Sequence, residues 1–168
     1  CHPGKKLLFM GSEFAQGPEW DYLNSLCWHQ LEIKEHAGVQ KLVRELNRLY
    51  QNTPALHEMD TQAEGFEWIE ADDRHNSVFA FSRYANSENS FVIVISNFTP
   101  VERSQYRIGV DKAGFYREVL NSDSEYFGGC NRGNGGGVNS EPQPWQHREN
   151  SICVNLPALS TTVFLFEG

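Results

Sequence analysis

The sequence predicts a mainly β protein: an antiparallel β-sandwich preceded by one strand buried on both faces and one amphipathic helix. Three observations carry this. From Gly65 onward the chain is a series of short β-branched and aromatic segments separated by turn residues. Between His36 and Asn52 apolar residues recur at spacings of three and four. Ahead of both, Leu7, Leu8, Phe9 and Met10 are apolar in succession and stop abruptly at Gly11.

In chain order, the run Lys5 to Met10 does not alternate, which is the pattern of a strand covered on both faces. Ser12, Glu13 and Gln16 follow at its carboxyl end, where parallel α/β architectures build their sites. Such a strand needs parallel neighbours and covering helices, and nothing later in the chain provides them. The chain also opens on Cys1-His2-Pro3-Gly4, with methionine only at positions 10 and 59, so upstream sequence is expected to be missing.

Gly17 to Glu32 has little periodicity and three large aromatics, Trp20, Tyr22 and Trp28, which reads as a functional loop. Trp20 and Tyr22 offer flat faces suited to sugar, with Glu19 and Asp21 able to accept from hydroxyls. Trp28 and Leu26 are expected to be buried against the neighbouring helix. Cys27-Trp28-His29 lacks the paired spacing of a structural zinc site, so no metal and no cofactor is expected.

Val39, Leu42, Val43, Leu46, Leu49 and Tyr50 give the helix one apolar face, opposite Lys41, Arg44, Glu45 and Arg48. It should end near Asn52, where Thr53-Pro54 reads as an N-cap opening a short helix over TPALHEM.

Seven strands are then expected, at 66–70, 78–84, 91–98, 106–110, 116–120, 152–156 and 162–166. In the third, Val92 and Val94 alternate with Ile93 and Ile95, so both faces are apolar and the strand should be central. Asp123 to Arg148 is the one long loop and carries GGCNRGNGGG at 128–137. No helix and no GK[ST] ending follows, so an adaptable loop is expected rather than a phosphate cradle. Tyr126 and Trp145 flank it as a possible secondary sugar platform.

With 168 residues and a net charge of -8, the chain can hold a core without staples and lacks the basic clusters of a nucleic-acid or anionic-membrane surface. No run is long enough to span a membrane. The four cysteines, widely spaced, are expected to be reduced thiols of a cytoplasmic protein. Glu13, Glu19 and Asp21 could supply a carboxylate pair, but loop carboxylates without a scaffold are not held at a catalytic separation. Ser12 lies in G-S-E, not in a nucleophile elbow. No catalytic residue is therefore expected within the chain.

The stretches HPGKKLLFMGSEFAQGPEW, WHQLE, GVQKLVRELNRLY, PALHE, GFEWI, ISNFTPV and REVLNSDSEYFGG, in that order, resemble the carboxyl-terminal part of bacterial 1,4-α-glucan branching enzymes of the α-amylase superfamily. The resemblance covers essentially the whole chain. It implies that residues 1–62 are the end of a truncated (β/α)8 barrel, with Lys6 to Met10 its last strand and Val39 to Tyr50 its last helix. Residues 63–168 would be the all-β carboxyl-terminal domain. The catalytic carboxylates of the family would lie upstream. Gly11 and Glu13 match the family's motif at the end of the last barrel strand, Gln16, Glu19 and Trp20 follow in the matching loop, and these residues are expected to line or support the glucan acceptor side. Ser12 departs from an expected asparagine. The implied partners are α-glucan, as glycogen or amylose-like chains, and the rest of the barrel. The chain's own part is then scaffold or cap, and Val39, Leu42, Leu46 and Leu49 would face absent barrel elements. The alternative is a stand-alone α-glucan-binding module. An immunoglobulin-like adhesion domain leaves the first strand unexplained.

Overall fold

A computed structural model describes residues 1–168. One long helix, α1 (Lys34–Asn52), precedes eight strands: β1 (Phe66–Asp73), β2 (Val78–Tyr84), β3 (Phe91–Asn97), β4 (Arg103–Val110), β5 (Phe115–Asn121), β6 (Gly137–Asn139), β7 (Asn150–Leu156) and β8 (Ser160–Phe166). They form a six-stranded antiparallel sheet, ordered β1-β2-β3-β8-β5-β6, and a two-stranded one, β4-β7.

The seven expected strands are all present; β6, three residues inside the long loop, is the addition. β3 is central, and its doubly apolar sequence has a direct cause. Phe91, Ile93 and Ile95 face the small sheet, in one core with Ile108, Val110, Ile152, Val154, Leu156 and Phe164. Val92 and Val94 face the other way, in a second core with Leu56, Leu120 and Val163. The buried Tyr116 hydroxyl donates to the Lys112 carbonyl at 2.7 Å, so the first core carries no cost at its largest polar side chain.

The second core is roofed by α1. Leu42, Leu46, Leu49 and Tyr50 pack against the outer face of the large sheet. This corrects the expectation that Leu42, Leu46 and Leu49 are left for absent barrel elements: an apolar helical face specifies a partner surface, not which one. Gly38 allows the approach, since a Cβ there would run into the carbonyl oxygen of Phe127.

Residues 5–9 do not form a strand. A strand is defined by a hydrogen-bonded neighbour, and no edge lies alongside this run. Leu7 is 85% exposed and Leu8 and Phe9 are half exposed. Thr53 likewise makes no side-chain cap; its carbonyl accepts from the Leu56 amide at 2.9 Å in a single 3-10 turn, Pro54–Leu56.

One buried charge ties these parts together. Arg83 on β2 is fully buried and donates to the carbonyls of Gly65 (3.1 Å), Cys1 (2.9 Å) and Leu56 (3.4 Å) and to Asp60 Oδ1 (2.5 Å). Asp60 also pairs with Lys6 at 3.2 Å. The first residues, the turn after α1, and the sheet therefore share one polar knot.

The glycine-rich loop is not open. Asp123 accepts from the amides of Cys130 (3.1 Å) and Arg132 (3.0 Å) through its carboxylate and from Asn131 (2.7 Å) through its carbonyl. Asn134 bridges Glu118 and Asn155. Its glycines permit this close folding rather than adaptability; a Cβ at Gly129 would collide with the Asp123 backbone. All four cysteines are unpaired. No helix is long and apolar enough to cross a membrane.

Candidate functional site

The residues that follow the apolar run form a short 3-10 turn, Ser12–Phe14, entered through Gly11 at φ 86. Phe14 is buried, its carbonyl bonded to Nδ1 of His36 on α1 at 2.9 Å, which fastens the turn to the helix. Trp28 stacks on Phe14 with centroids 5.1 Å apart but stays half exposed, so the expectation that it is buried against the helix is not met.

A concavity of about 540 Å³ lies beside this turn, lined by Gln16, Glu19 and Trp20 together with Phe9, Met10 and Pro18. Trp20 is 73% exposed and meets Phe9 edge-on at 5.7 Å. Three of the four residues expected on the acceptor side are thus brought together; Glu13 sits in the adjoining turn, outside the lining. Gln16 acts as a brace: its Nε2 donates to the Pro18 carbonyl and its Oε1 accepts from the Cys27 amide, both at 3.1 Å. The Asp21 carboxylate is taken up by its own turn, accepting from Asn24 Nδ2 at 2.8 Å and the Leu23 amide at 3.1 Å. The Asn24 bond foremost, and then the backbone amides against a small burial cost, hold the Asp21 pKa below the ordinary value. Asp21 is therefore a turn former rather than a partner for acid–base work.

Tyr126 and Trp145, which flank one loop, do not share a platform. Tyr126 lies over α1 with Lys41 Nζ 5.1 Å from its ring centroid. Trp145 lies on the small sheet, where a Cβ on Gly109 of β4 would strike its carbonyl. The largest concavity, about 790 Å³, opens beside Trp145 and is lined by Glu70, Asp73, Glu102, Arg103, Tyr106 and Gln146, among others. Reading the sequence alone misses all of these except Trp145. The polar stretch RSQYR, which begins β4, alternates no apolar residues and so carries no strand signal before Tyr106.

Exposed apolar side chains are concentrated in two places. Leu7, Leu8, Phe9, Trp20, Leu23 and Trp28 belong to the first part of the chain. On and just beyond the large sheet, Trp68, Phe79 and Phe98 are exposed in a series of edge-to-face and tilted ring contacts with Phe66 and Phe81.

Residues 68–167 match the family described as the alpha amylase C-terminal all-beta domain. The chain is 60% identical over 167 residues to a protein of Saccharophagus degradans named 1,4-alpha-glucan branching enzyme GlgB, covering 99% of this chain and 23% of that one. It is 52% identical over 162 residues to the protein of the same name from Paramagnetospirillum magneticum, covering 96% and 22%. The chain thus spans less than a quarter of the length of either relative. Among solved structures, the trehalulose synthase MutB of Pseudomonas mesoacidophila MX-45 is similar in fold. A mutant soaked with trehalulose superposes with a TM-score of 0.53 at 16% identity, over 84% of this chain and 20% of that one. Another mutant of the enzyme, in complex with Tris, gives 0.51 at 16% identity, over 85% and 20%.

Proposed function

The chain belongs to the family of alpha-amylase C-terminal all-beta domains, and from that membership we propose that it is the carboxyl-terminal part of a 1,4-α-glucan branching enzyme. The observation that carries this reading is 60% identity sustained across 99% of the chain to a protein so named. The parent would break an α-1,4 bond through a covalent glycosyl intermediate and transfer the chain to a 6-hydroxyl, forming an α-1,6 branch. Its catalytic carboxylates would lie upstream, and the parent would work in the cytoplasm on glycogen or amylose-like chains.

Residues 1–62 are then the last strand, loop and helix of the barrel, and residues 63–168 the β domain that supports them. Support comes from the exposed run Leu7 to Phe9, which has the composition of a doubly covered strand and lacks only neighbours. The half-exposed Trp28 and the exposed Leu23 suit the same missing surface. Glu13, Gln16, Glu19 and Trp20 would line or brace the acceptor side, with Gln16 holding the loop and Trp20 offering its face. Tyr126 would be a minor glucan contact at most, since Lys41 covers one side of its ring. A second reading, a free-standing α-glucan-binding module, draws on the exposed Trp20 and Trp145.

The barrel reading makes the isolated chain sticky and inactive. The 168-residue chain is expected to bind a hydrophobic dye and to associate as its concentration rises, and to form no α-1,6 linkages on amylose. A strictly monomeric chain that leaves the dye dark would argue for a self-sufficient module instead.

A further inference from the structure

We infer that the concavity between the free edges of β1 and β4 is a binding site for an α-1,4-glucan chain, stacked on Trp145 and separate from the barrel loop that carries Trp20. The sugar class rests on the reading proposed above; the site itself rests on its construction.

Trp145 is presented by a two-residue hairpin closed by reciprocal bonds with Arg148, at 3.0 and 2.9 Å. Both central residues are left-handed, Gln146 at φ 49 and His147 at φ 65, positions that suit glycine or asparagine. Gln146 is retained there by two bonds: its Oε1 accepts from the Gly109 amide at 2.9 Å and its Nε2 donates to Glu70 at 2.8 Å. Arg148, almost buried, anchors the base of the hairpin through Glu67 at 2.7 Å and Asp111 at 3.1 Å. A third non-glycine residue in the left-handed region, Gln105 at φ 55, marks a bulge in β4 on the opposite wall. Two of the three, Gln146 and Gln105, line the concavity from opposite walls, which describes a positioned surface, since bulges and strained turns re-aim side chains where ligands bind. The indole they hold is nearly half exposed.

Most polar groups in the walls already have partners within the chain. Asp73 accepts from Tyr106 at 2.6 Å, Arg107 pairs with Glu141 at 2.7 Å, and Glu102 pairs with Arg132 at 2.9 Å. Arg103 is the exception: its buried Nε has no acceptor, and its guanidinium makes neither a side-chain hydrogen bond nor an ion pair. Unspent donors at a wall call for an acceptor from outside. A flat aromatic face, planar amide and carboxylate groups and a free guanidinium together suit a neutral polyhydroxyl ligand. The volume, about 790 Å³, is within the ordinary range for a ligand site.

The test is a titration of the 168-residue chain, labelled at its tryptophan indoles, with maltoheptaose and, separately, with cellohexaose. The Trp145 resonance is expected to move saturably with maltoheptaose and to stay put with cellohexaose. Trp145→Ala should raise Kd at least about tenfold, Trp145→Phe should retain most of the affinity, and Arg103→Gln should weaken it without touching the indole. Folding of each variant is checked by its circular dichroism, and should Trp145→Ala fail to fold, the shift map and Arg103→Gln decide. A Trp145 resonance unmoved by either sugar overturns the site. Movement with cellohexaose but not maltoheptaose overturns the α-glucan assignment, while a silent branching assay on the parent would instead remove the reading on which that assignment rests.

Discussion

Replacing Arg83 with methionine is expected to cost the chain about 3–5 kcal/mol, the range for removing one partner of a buried, hydrogen-bonded ion pair. The guanidinium is fully buried and makes four contacts, three of them to carbonyl oxygens of segments remote in sequence, Cys1, Leu56 and Gly65. Its loss strands those acceptors and leaves Asp60, whose side chain is 14% exposed, with Lys6 as its one remaining charged partner beside the Gly4 amide and the Tyr50 hydroxyl. Converting Asp60 to leucine in the same chain should recover part of the loss but not all of it, because the three carbonyls stay unpaired. A double variant as stable as the parent would mean that the carbonyl contacts contribute nothing.

The same knot sets an acid limit. Burial acts to raise the Asp60 pKa, but the hydrogen bonds and charges of Arg83 and Lys6 outweigh it and hold the carboxyl below its ordinary value of 3.8. A carboxylate depressed on folding adds stability that is complete above the unfolded value and drains away as pH falls through the folded one. The Asp60 contribution should therefore be complete above about pH 5 and fall below about pH 4 in urea melts, the fall being shallower in Arg83→Met. It lies beneath a separate decline as pH drops from about 8 to about 6, because burial, aided by Lys6 and Arg83, lowers the Cys1 amine to about 6.

The second large effect is expected at Phe164. It is fully buried on β8, paired with Ile93 on β3 and Glu118 on β5, at the centre of the core between the sheets. Phe164→Ala should cost about 3–5 kcal/mol through lost burial and the cavity left behind, a large share of an ordinary ~5–15 kcal/mol stability. For a chain of this size the melting temperature should fall by roughly 6–20 °C. Leu7→Ala is the informative contrast. At 85% exposure the change should stay within about 0.5 kcal/mol in this chain. In a protein that buries Leu7 within a barrel, the same change should cost about 2–5 kcal/mol. An equal, small effect in both settings would contradict the place assigned to the run Lys5 to Met10.

Much of this fold is legible in the sequence where burial is symmetrical. β3 reads as central because Val92 and Val94 and Ile93 and Ile95 meet two different cores, and α1 reads as amphipathic because one face meets a sheet. The covering partner is not legible: Leu42, Leu46 and Leu49 satisfy a sheet as well as a barrel. Arg83 looks like a solvent-side residue in VFAFSRY, since its acceptors lie 18, 27 and 82 positions away in sequence. The concavity at Trp145 is hidden for a related reason. It is made by a bulge at Gln105 and a turn at Gln146, conformations that glutamine does not advertise. Trp20 and Glu19 read as sugar-suited from their chemistry, whereas the acceptor side is implied for them, Glu13 and Gln16 only by resemblance; the structure gathers Gln16, Glu19 and Trp20 and leaves Glu13 beside them.

We propose that this chain completes a branching enzyme. The direct test is to exchange the matching segment of the Saccharophagus degradans protein for this chain and count α-1,6 linkages formed on amylose, by iodine staining and by chains released on debranching. Branching by the exchanged enzyme is expected within a few-fold of its parent, and none by the 168-residue chain alone. A folded, soluble exchange that forms no branches while its parent does would contradict it.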